Sequence, residues 1–433
     1  MELVPLSASL SKSKTVKFGH MADLHLGATS DPVLKKLEIG TLEEAINRCI
    51  EEDVDFLIIA GDLFHVNVPD LGVVKESVEA FMRFVKTGRK IYVVYGSHDF
   101  SPNSTSIIDI LEAAGMVVRV GKPSTMNGLL RPEIVKDERS GAVLTGISGR
   151  RVSLEREAFI NLDREYLSSL QGFKIFIFHS GIEEVKKEGE KYEGIASSDL
   201  PKGFDYYAGG HIHRRIEMDK GMKVIFPGPL FTGWGVDMEA TVKGEKRGFI
   251  MAEATVTGKA AKVSTSFVDL TPFKGLYLEV DATGMPVASL NSRLHEIAEK
   301  EDLKDKVAVV KVLGELASGK TSDVDFNAFR SLVMSKGALY LHLSRNMLHS
   351  KEAEAITFSK EEPLEIEEKV LRELEGTIKV NEPSLKEGSI KIAKELLSQL
   401  RVPKLEGETQ DAYESRMSEA AIRVLGLKRL IEQ

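Results

Sequence analysis

The sequence predicts a layered α/β fold with its functional loops at strand ends, followed by a smaller α+β module and a helical tail. Three observations carry this reading. Short apolar, β-branched runs alternate with amphipathic helical stretches from residue 15 to about 272. Five histidine- and aspartate-bearing motifs each directly follow one of those runs. Beyond Lys351 the composition shifts to Glu and Lys, with Pro383 and Pro403 punctuating the chain.

In order, residues 16–22, 56–60, 91–95, 143–147, 175–178, 206–208 and 224–226 read as buried strands. Between the first two, Leu42, Ala45, Ile46, Cys49 and Ile50 recur at helical spacing and give a β-α-β unit. The helix expected over 73–85 precedes the third strand in the same way. This alternation assigns 1–272 to one domain. A second, 273–350, opens with a strand at 276–280 and continues with a helix at 290–298 and a strand at 307–313. A further helix at 326–335 and a strand at 338–343 complete it. Residues 351–433 form a linker and helical segment, with helices expected over 388–400 and 409–431. In the last helix Tyr413, Met417, Ala420 and Val424 share a face, which suits either packing on its own unit or docking another protein.

Composition narrows the function classes. The 433 residues are 42% hydrophobic and 29% charged, as in an ordinary globular protein, and no apolar run is long enough to span a membrane. Residues 1–14 lack an apolar signal-peptide core, so a cytoplasmic location is expected. The single cysteine, Cys49, has no internal disulfide partner and reads as a buried apolar filler. A formal charge of -8 argues against coating nucleic acid by bulk attraction, yet bound cations and local basic pairs can reverse the field at a site. Arg214–Arg215 and Arg150–Arg151 are such pairs, either surface residues or substrate contacts.

The motifs are Asp23-Leu24-His25, Gly61-Asp62-Leu63-Phe64-His65, Gly96-Ser97-His98-Asp99, Phe178-His179-Ser180 and Gly210-His211-Ile212-His213. They hold six of the ten histidines, a nitrogen-and-carboxylate set suited to first-row divalent metals. Asp23 with His25, and His211 with His213, are two residues apart, so in extended backbone each pair projects from one face. Asp62 is placed to reach between them, and a carboxylate can bridge two metals. Such a centre activates water and neutralises a phosphoryl group without a serine or cysteine nucleophile. His98 is a candidate general acid or phosphate donor, because an imidazole titrates near neutral pH. Glycines at 61, 96 and 210 let the backbone approach closely. His295, His342 and His349 read as structural or surface residues.

In order and type these motifs resemble those of the calcineurin-like metallophosphoesterases. The Gly-Asp-Leu-Phe-His string, the domain order and the length are similar to the Mre-eleven/SbcD family of double-strand-break repair nucleases. The resemblance implies a layered αββα sandwich with a capping domain, and two manganese ions. Asp23, His25 and His213 would hold the first ion, and His179, His211 and Ser97 the second, with Asp62 bridging. His98 would be catalytic and His65 would handle duplex ends; apart from the resemblance, the basic pair Arg214 and Arg215 beside the last motif is the candidate substrate contact. It further implies a DNA substrate, 3'-5' exonuclease and single-strand endonuclease activity, and a homodimer formed around 73–85 and 104–114. An SMC-like coiled-coil ATPase of the SbcC type would dock on the C-terminal segment. One residue departs: Ser97 stands where the superfamily usually has Asn, and its shorter hydroxyl implies a weaker second-metal site. No GxxxxGK[ST] loop is present, so ATP chemistry would belong to the partner. Two other readings stay open, a phosphatase or cyclic-nucleotide phosphodiesterase of the same superfamily, and a DNA-end scaffold with a weakened second site.

Overall fold

The computed structural model describes residues 13–99, 105–149, 155–187, 192, 194–219, 221–232, 235–258, 260–351, 389–402 and 410–425. The chain divides into two compact units, Met1–Glu352 and Ala353–Gln433.

Among the described residues of the first unit, two six-stranded sheets lie face to face. In the first sheet β1 (Lys14–Met21), β2 (Phe56–Ala60), β3 (Lys90–Val94) and β4 (Val118–Arg119) run parallel. The hairpin β15 (Gly248–Thr257) and β16 (Ala260–Asp269) extends it antiparallel beyond β1. The second sheet has a parallel centre of β8 (Val143–Ile147), β9 (Lys174–His179), β12 (Tyr206–Gly210) and β14 (Lys223–Phe226). Antiparallel β7 (Val135–Lys136) and β13 (Ile216–Asp219) close its edges. Short pairs β5 (Thr125–Met126) with β6 (Leu129–Leu130) and β10 (Gly181–Ile182) with β11 (Gly194–Ile195) decorate the loops.

The facing sheets interlock through Phe18, Phe56, Ile58 and Tyr92 on one side and Leu144, Ile175, Ile177, Tyr206 and Ala208 on the other. Outside the first sheet, Leu57, Ile59 and Val93 pack on α1 (Pro32–Glu51), α2 (Leu71–Val85) and α3 (Ile107–Ala113) through Leu42, Ile46, Phe81, Phe84 and Leu111. Outside the second, Phe176, Phe178 and Phe226 meet Phe159 of α4 (Glu155–Ile160) and Leu167 of α5 (Arg164–Ser169). The result is the αββα sandwich. Burial on both faces explains why the central strands read as continuous apolar runs rather than alternations. Cys49 is a fully buried free thiol in this core, its sulfur beside Gly19.

Two elements differ from the sequence reading. Helix α1 begins ten residues before 42, because the Asp31 carboxylate accepts the Val33 and Leu34 N–H groups at 2.9 and 3.1 Å and Pro32 occupies the first turn. Its first half still carries apolar Val33, Leu34, Leu37 and Ile39, so the helical spacing extends back beyond Leu42. The β15–β16 hairpin was not expected as strands. β16 alternates small residues such as Ala, Ser and Thr on a half-covered edge and carries little hydrophobic signal.

Residues from 273 onward form β17 (Lys274–Asp281), α7 (Val287–Lys300), β18 (Lys306–Leu316), α8 (Phe326–Ser335) and β19 (Tyr340–Ser350). The three strands are parallel in the order 17-18-19, so both crossover helices fall on one face. Leu290, Leu294, Phe326 and Phe329 cover that face. Val307 and Val309 on the opposite face pack on Leu34 of α1 and Met238 of α6 (Gly235–Val242).

In the second unit helices Ser389–Leu400 and Gln410–Val424 are described. Ala420 is buried, and the Tyr413 hydroxyl donates to the Val402 carbonyl at 3.5 Å. The Glu- and Lys-rich stretch with Pro383, Pro403 and the end of the helix expected to 431 lie outside the described residues. Among the described residues no helix is long and apolar enough to cross a membrane.

Candidate metal centre

Parallel strands β1, β2, β3, β9 and β12 each end in one of the five motifs, so both sheets deliver side chains to one edge of the sandwich. Past their ends β1 and β2 continue as paired loops, with Asp23 N–H bonding the Gly61 carbonyl at 3.1 Å and His25 N–H the Asp62 carbonyl at 2.9 Å. Asp23, His25, Asp62 and His211 have φ of 52, 43, 50 and 91°, left-handed backbone that Asp and His tolerate better than most residues. This corrects the reading of Asp23 and His25 as neighbours on an extended face. They converge through two left-handed turns, with buried Leu24 between them. Gly61 and Gly96 clear the space in front of the turns. A β-carbon would sit 2.3 Å from His179 Nδ1 at Gly61 and 2.0 Å from Asp62 Oδ1 at Gly96.

Three groups of donors result. Asp23, His25 and His213 bring one ligand atom each within 4.8 Å of the others, as do Asp23, Asp62 and His179, and His25, His65 and His98. Asp62 Oδ2 lies 3.5 Å from His25 Nε2 and 3.2 Å from His179 Nε2, between two of the groups. His25 Nε2 and His213 Nε2 face each other at 3.1 Å. Adjacent ligands each about 2.1 Å from one octahedral ion lie about 3 Å apart, so that spacing suits a shared cation. His179 donates Nδ1–H to the Ala60 carbonyl at 2.9 Å, which leaves Nε2 for the cluster. His98 donates Nδ1–H to the His65 carbonyl at 2.6 Å and its backbone N–H to Asp62 Oδ1 at 2.8 Å. Its ring lies 4.8 Å from that of His25 and stacks at 5.1 Å on His65.

Ser97 and His211 stand outside those three groups. Ser97 Oγ is 3.5 Å from Asp62 Oδ2. His211 donates its backbone N–H to Asp23 Oδ1 at 2.8 Å, and its ring sets edge-on to His179 at 5.2 Å and Tyr192 at 5.7 Å. The arginines following the last motif turn to other partners: Arg214 donates to the Val185 carbonyl and Arg215 lies 5.0 Å over the Phe267 ring. Arg150 and Arg151 lie outside the described residues. His342 is half-buried, and His295 and His349 are exposed.

Burial and mutual charge set the electrostatics of the cluster. Burial pushes the Asp23 carboxyl up to about 6, against the pull of His179 and His213. Burial acts the same way on Asp62, but His179 and His25 overcome it and hold that carboxyl well below the usual range. His179 opposes its own burial through Asp62 and is raised to about 10. Burial drives His25 well down and His211 to about 3, helped by the charge of His179 on the latter. Asp23 Oδ2 is buried and, among the described residues, lacks a hydrogen-bond partner. Two carboxylates and several imidazole nitrogens on a dry floor fit a divalent metal centre.

Supporting residues were not legible from the motifs. The Asp99 carboxylate accepts N–H bonds from Gly96, Leu63 and Phe64 at 2.9, 3.2 and 3.2 Å, and so ties the third motif to the second. Its place in Gly-Ser-His-Asp was the available signal. Asp237 meets His213 Nδ1 at 2.7 Å from α6, with no local pattern to mark it.

Residues 16–215 match the family model of the calcineurin-like phosphoesterases, a stretch that contains all five motifs. The DNA double-strand break repair protein Mre11 of Archaeoglobus fulgidus is 25% identical over 344 residues, covering 70% of this chain and 75% of that protein. Mre11 of Sulfurisphaera tokodaii is 31% identical over 214 residues, covering 47% of this chain and half of that protein. Mre11 of Thermoplasma acidophilum is 23% identical over 333 residues, covering 73% and 82%. Over residues 16–215 the chain is thus similar to the calcineurin-like phosphoesterases, and its Asp and His side chains form groups that could hold a metal ion.

Proposed function

We propose that this protein is a manganese-dependent DNA nuclease of double-strand-break repair, acting with an SMC-like coiled-coil ATPase. The observation that carries the reading is the Asp62 carboxylate, within 3.5 Å of His25 from one sheet and 3.2 Å of His179 from the other. Asp23, His25 and His213 would hold one ion, and His179 and His211 with Ser97 the other, with Asp62 shared. Mixed oxygen and imidazole donors suit manganese. Bound there, the ions would supply an activated water and neutralise charge on the scissile phosphate. The protein's own part is to orient the donors and to present His98, fixed at its Nδ1 by the His65 carbonyl, toward the leaving oxygen.

Similarity to double-strand break repair proteins favours DNA ends as substrate. We assign residues 273–350 to positioning DNA and the 351–433 segment to docking the ATPase. Homodimerisation through α2 and α3 is supported by exposed apolar side chains along this side, Leu71 at 77% and Ile110 at 54%. A manganese-supplemented assay on duplex and single-stranded DNA tests the reading, with cyclic nucleotide as the competing substrate. Wild type should cleave DNA, and His98→Ala and Asp62→Ala should each lose at least about a hundredfold. Equal activity in all three proteins, or turnover of the cyclic nucleotide alone, would remove the assignment. The position of Ser97, 3.5 Å from Asp62, favours a second reading, a DNA-end scaffold whose weaker second site limits cleavage.

A further inference from the structure

We infer that Asp237, braced by Arg247, is a positioning residue for the ring of His213, an inference that rests on the two-metal reading above. His213 uses its two ring nitrogens differently. Nε2 faces His25 Nε2 in the donor cluster at 3.1 Å, while Nδ1 meets Asp237 Oδ2 at 2.7 Å. Donating Nδ1–H to a carboxylate fixes the tautomer that leaves the Nε2 lone pair for a cation, and the negative charge makes that nitrogen a stronger donor. His179 and His98 turn Nδ1 to backbone carbonyls instead, at Ala60 and His65. A carbonyl orients a ring without lending it a formal charge.

The carboxylate itself is held in place. Asp237 is buried in the first turn of α6. Arg247, 1% exposed, donates NH2 to the Asp237 carbonyl at 3.0 Å and NH1 to the His213 carbonyl at 3.1 Å. Its Nε donates to Thr241 Oγ1 at 2.7 Å, one turn further along the helix. One planar guanidinium therefore grips both the metal-site loop and the helix that carries Asp237, and their separation cannot drift without breaking several bonds. Thr241 Oγ1 also donates to the Asp237 carbonyl at 2.7 Å, which closes the network. Burying an arginine this deeply is costly, and the carbonyl, hydroxyl and Glu245 contacts offset the cost only while this geometry holds.

The test is a Mn2+ titration of the full chain, following free Mn2+ by electron paramagnetic resonance, for wild type, Asp237→Ala and Asp237→Asn. Wild type should take up two equivalents. Asp237→Ala should weaken one of them about 10- to 100-fold and leave the other in place. Asp237→Asn keeps an acceptor for Nδ1–H without the charge, so it should fall between the two. Far-UV circular dichroism checks folding, and if the alanine variant melts early the asparagine variant decides. Two ions bound by the variants as tightly as by wild type would overturn the inference. So would an equal loss at both sites, the mark of general structural damage. If wild type itself binds no Mn2+, the two-metal reading fails, and this inference with it.

Discussion

Protonation of His20 should be a principal cause of acid unfolding of the sandwich. The side chain is fully buried on β1 between the two sheets, with Nδ1 2.9 Å from the Tyr206 hydroxyl and the rings edge-on at 5.7 Å. Burial lowers its pKa from 6.5 to about 3, because a charged imidazole there has no water. The folded state therefore favours the neutral ring. Its contribution is fully present above pH 6.5 and is lost as pH falls from 6.5 toward 3. At about 1.4 kcal/mol per pH unit, the whole window amounts to about 5 kcal/mol, comparable with the entire stability of many domains. At pH 5 the unfolded imidazole is almost fully protonated and the folded one is not, so unfolding takes up about one proton at this residue. His20→Gln keeps a polar partner for Tyr206 and removes the titration. Urea unfolding followed by circular dichroism at pH 7, 6, 5 and 4 should give a steeper acid loss in wild type than in His20→Gln, by about 1.4 kcal/mol per unit. Proton uptake on unfolding in weak buffer at pH 5 should differ by about one. Parallel pH profiles and equal uptake would refute the reasoning.

Glu38 should show the opposite pH trend. Its carboxylate is buried in α1, accepts the Gly27 N–H at 2.9 Å and is pushed by burial up to about 7 from an ordinary 4.5. The stability linked to this shift is present below pH 4.5 and fades as pH rises through about 7, so Glu38→Gln should raise the thermal midpoint more at pH 8 than at pH 5. The ceiling is about 3 kcal/mol, and a pH-independent effect in parallel thermal melts would contradict it. Ser97→Asn, with a longer neutral oxygen donor, should tighten the second Mn2+ equivalent about tenfold in the same resonance titration and raise DNA cleavage with it. Unchanged binding would mean that position 97 does not face that ion.

What could be read from the chain depended on how locally each feature is encoded. The motif residues were legible because a parallel strand buried on both faces is an unbroken apolar run, and its end marks where a loop begins. Asp23, Asp62, His179 and His213 follow such ends directly. The path by which Asp23 and His25 meet was not legible, since left-handed backbone leaves no trace in residue spacing. Asp237 and Arg247 escaped notice because their partners are distant in sequence, 24 positions for the Asp237–His213 bond and 34 for the Arg247 bond to His213. The start of α1 shows that a helix boundary is set by its Asp31 cap as well as by its apolar stripe, which runs back through Leu37 and Leu34. The edge strand β16, built largely on small residues, shows the limit of hydrophobic pattern as a signal. Arg214 and Arg215 looked like one basic patch in sequence, yet one is engaged by the Val185 carbonyl and the other by the Phe267 ring.

The candidate donor set straddles the seam between the two sheets. Asp23, His25, Asp62 and His98 come from one sheet, and His179, His211 and His213 from the other. A nascent chain that has completed only the earlier strands holds half a donor set and grips a cation weakly. If the site binds a cation as proposed, tight capture would require both halves to have docked, and binding would favour the finished sandwich over a half-built one.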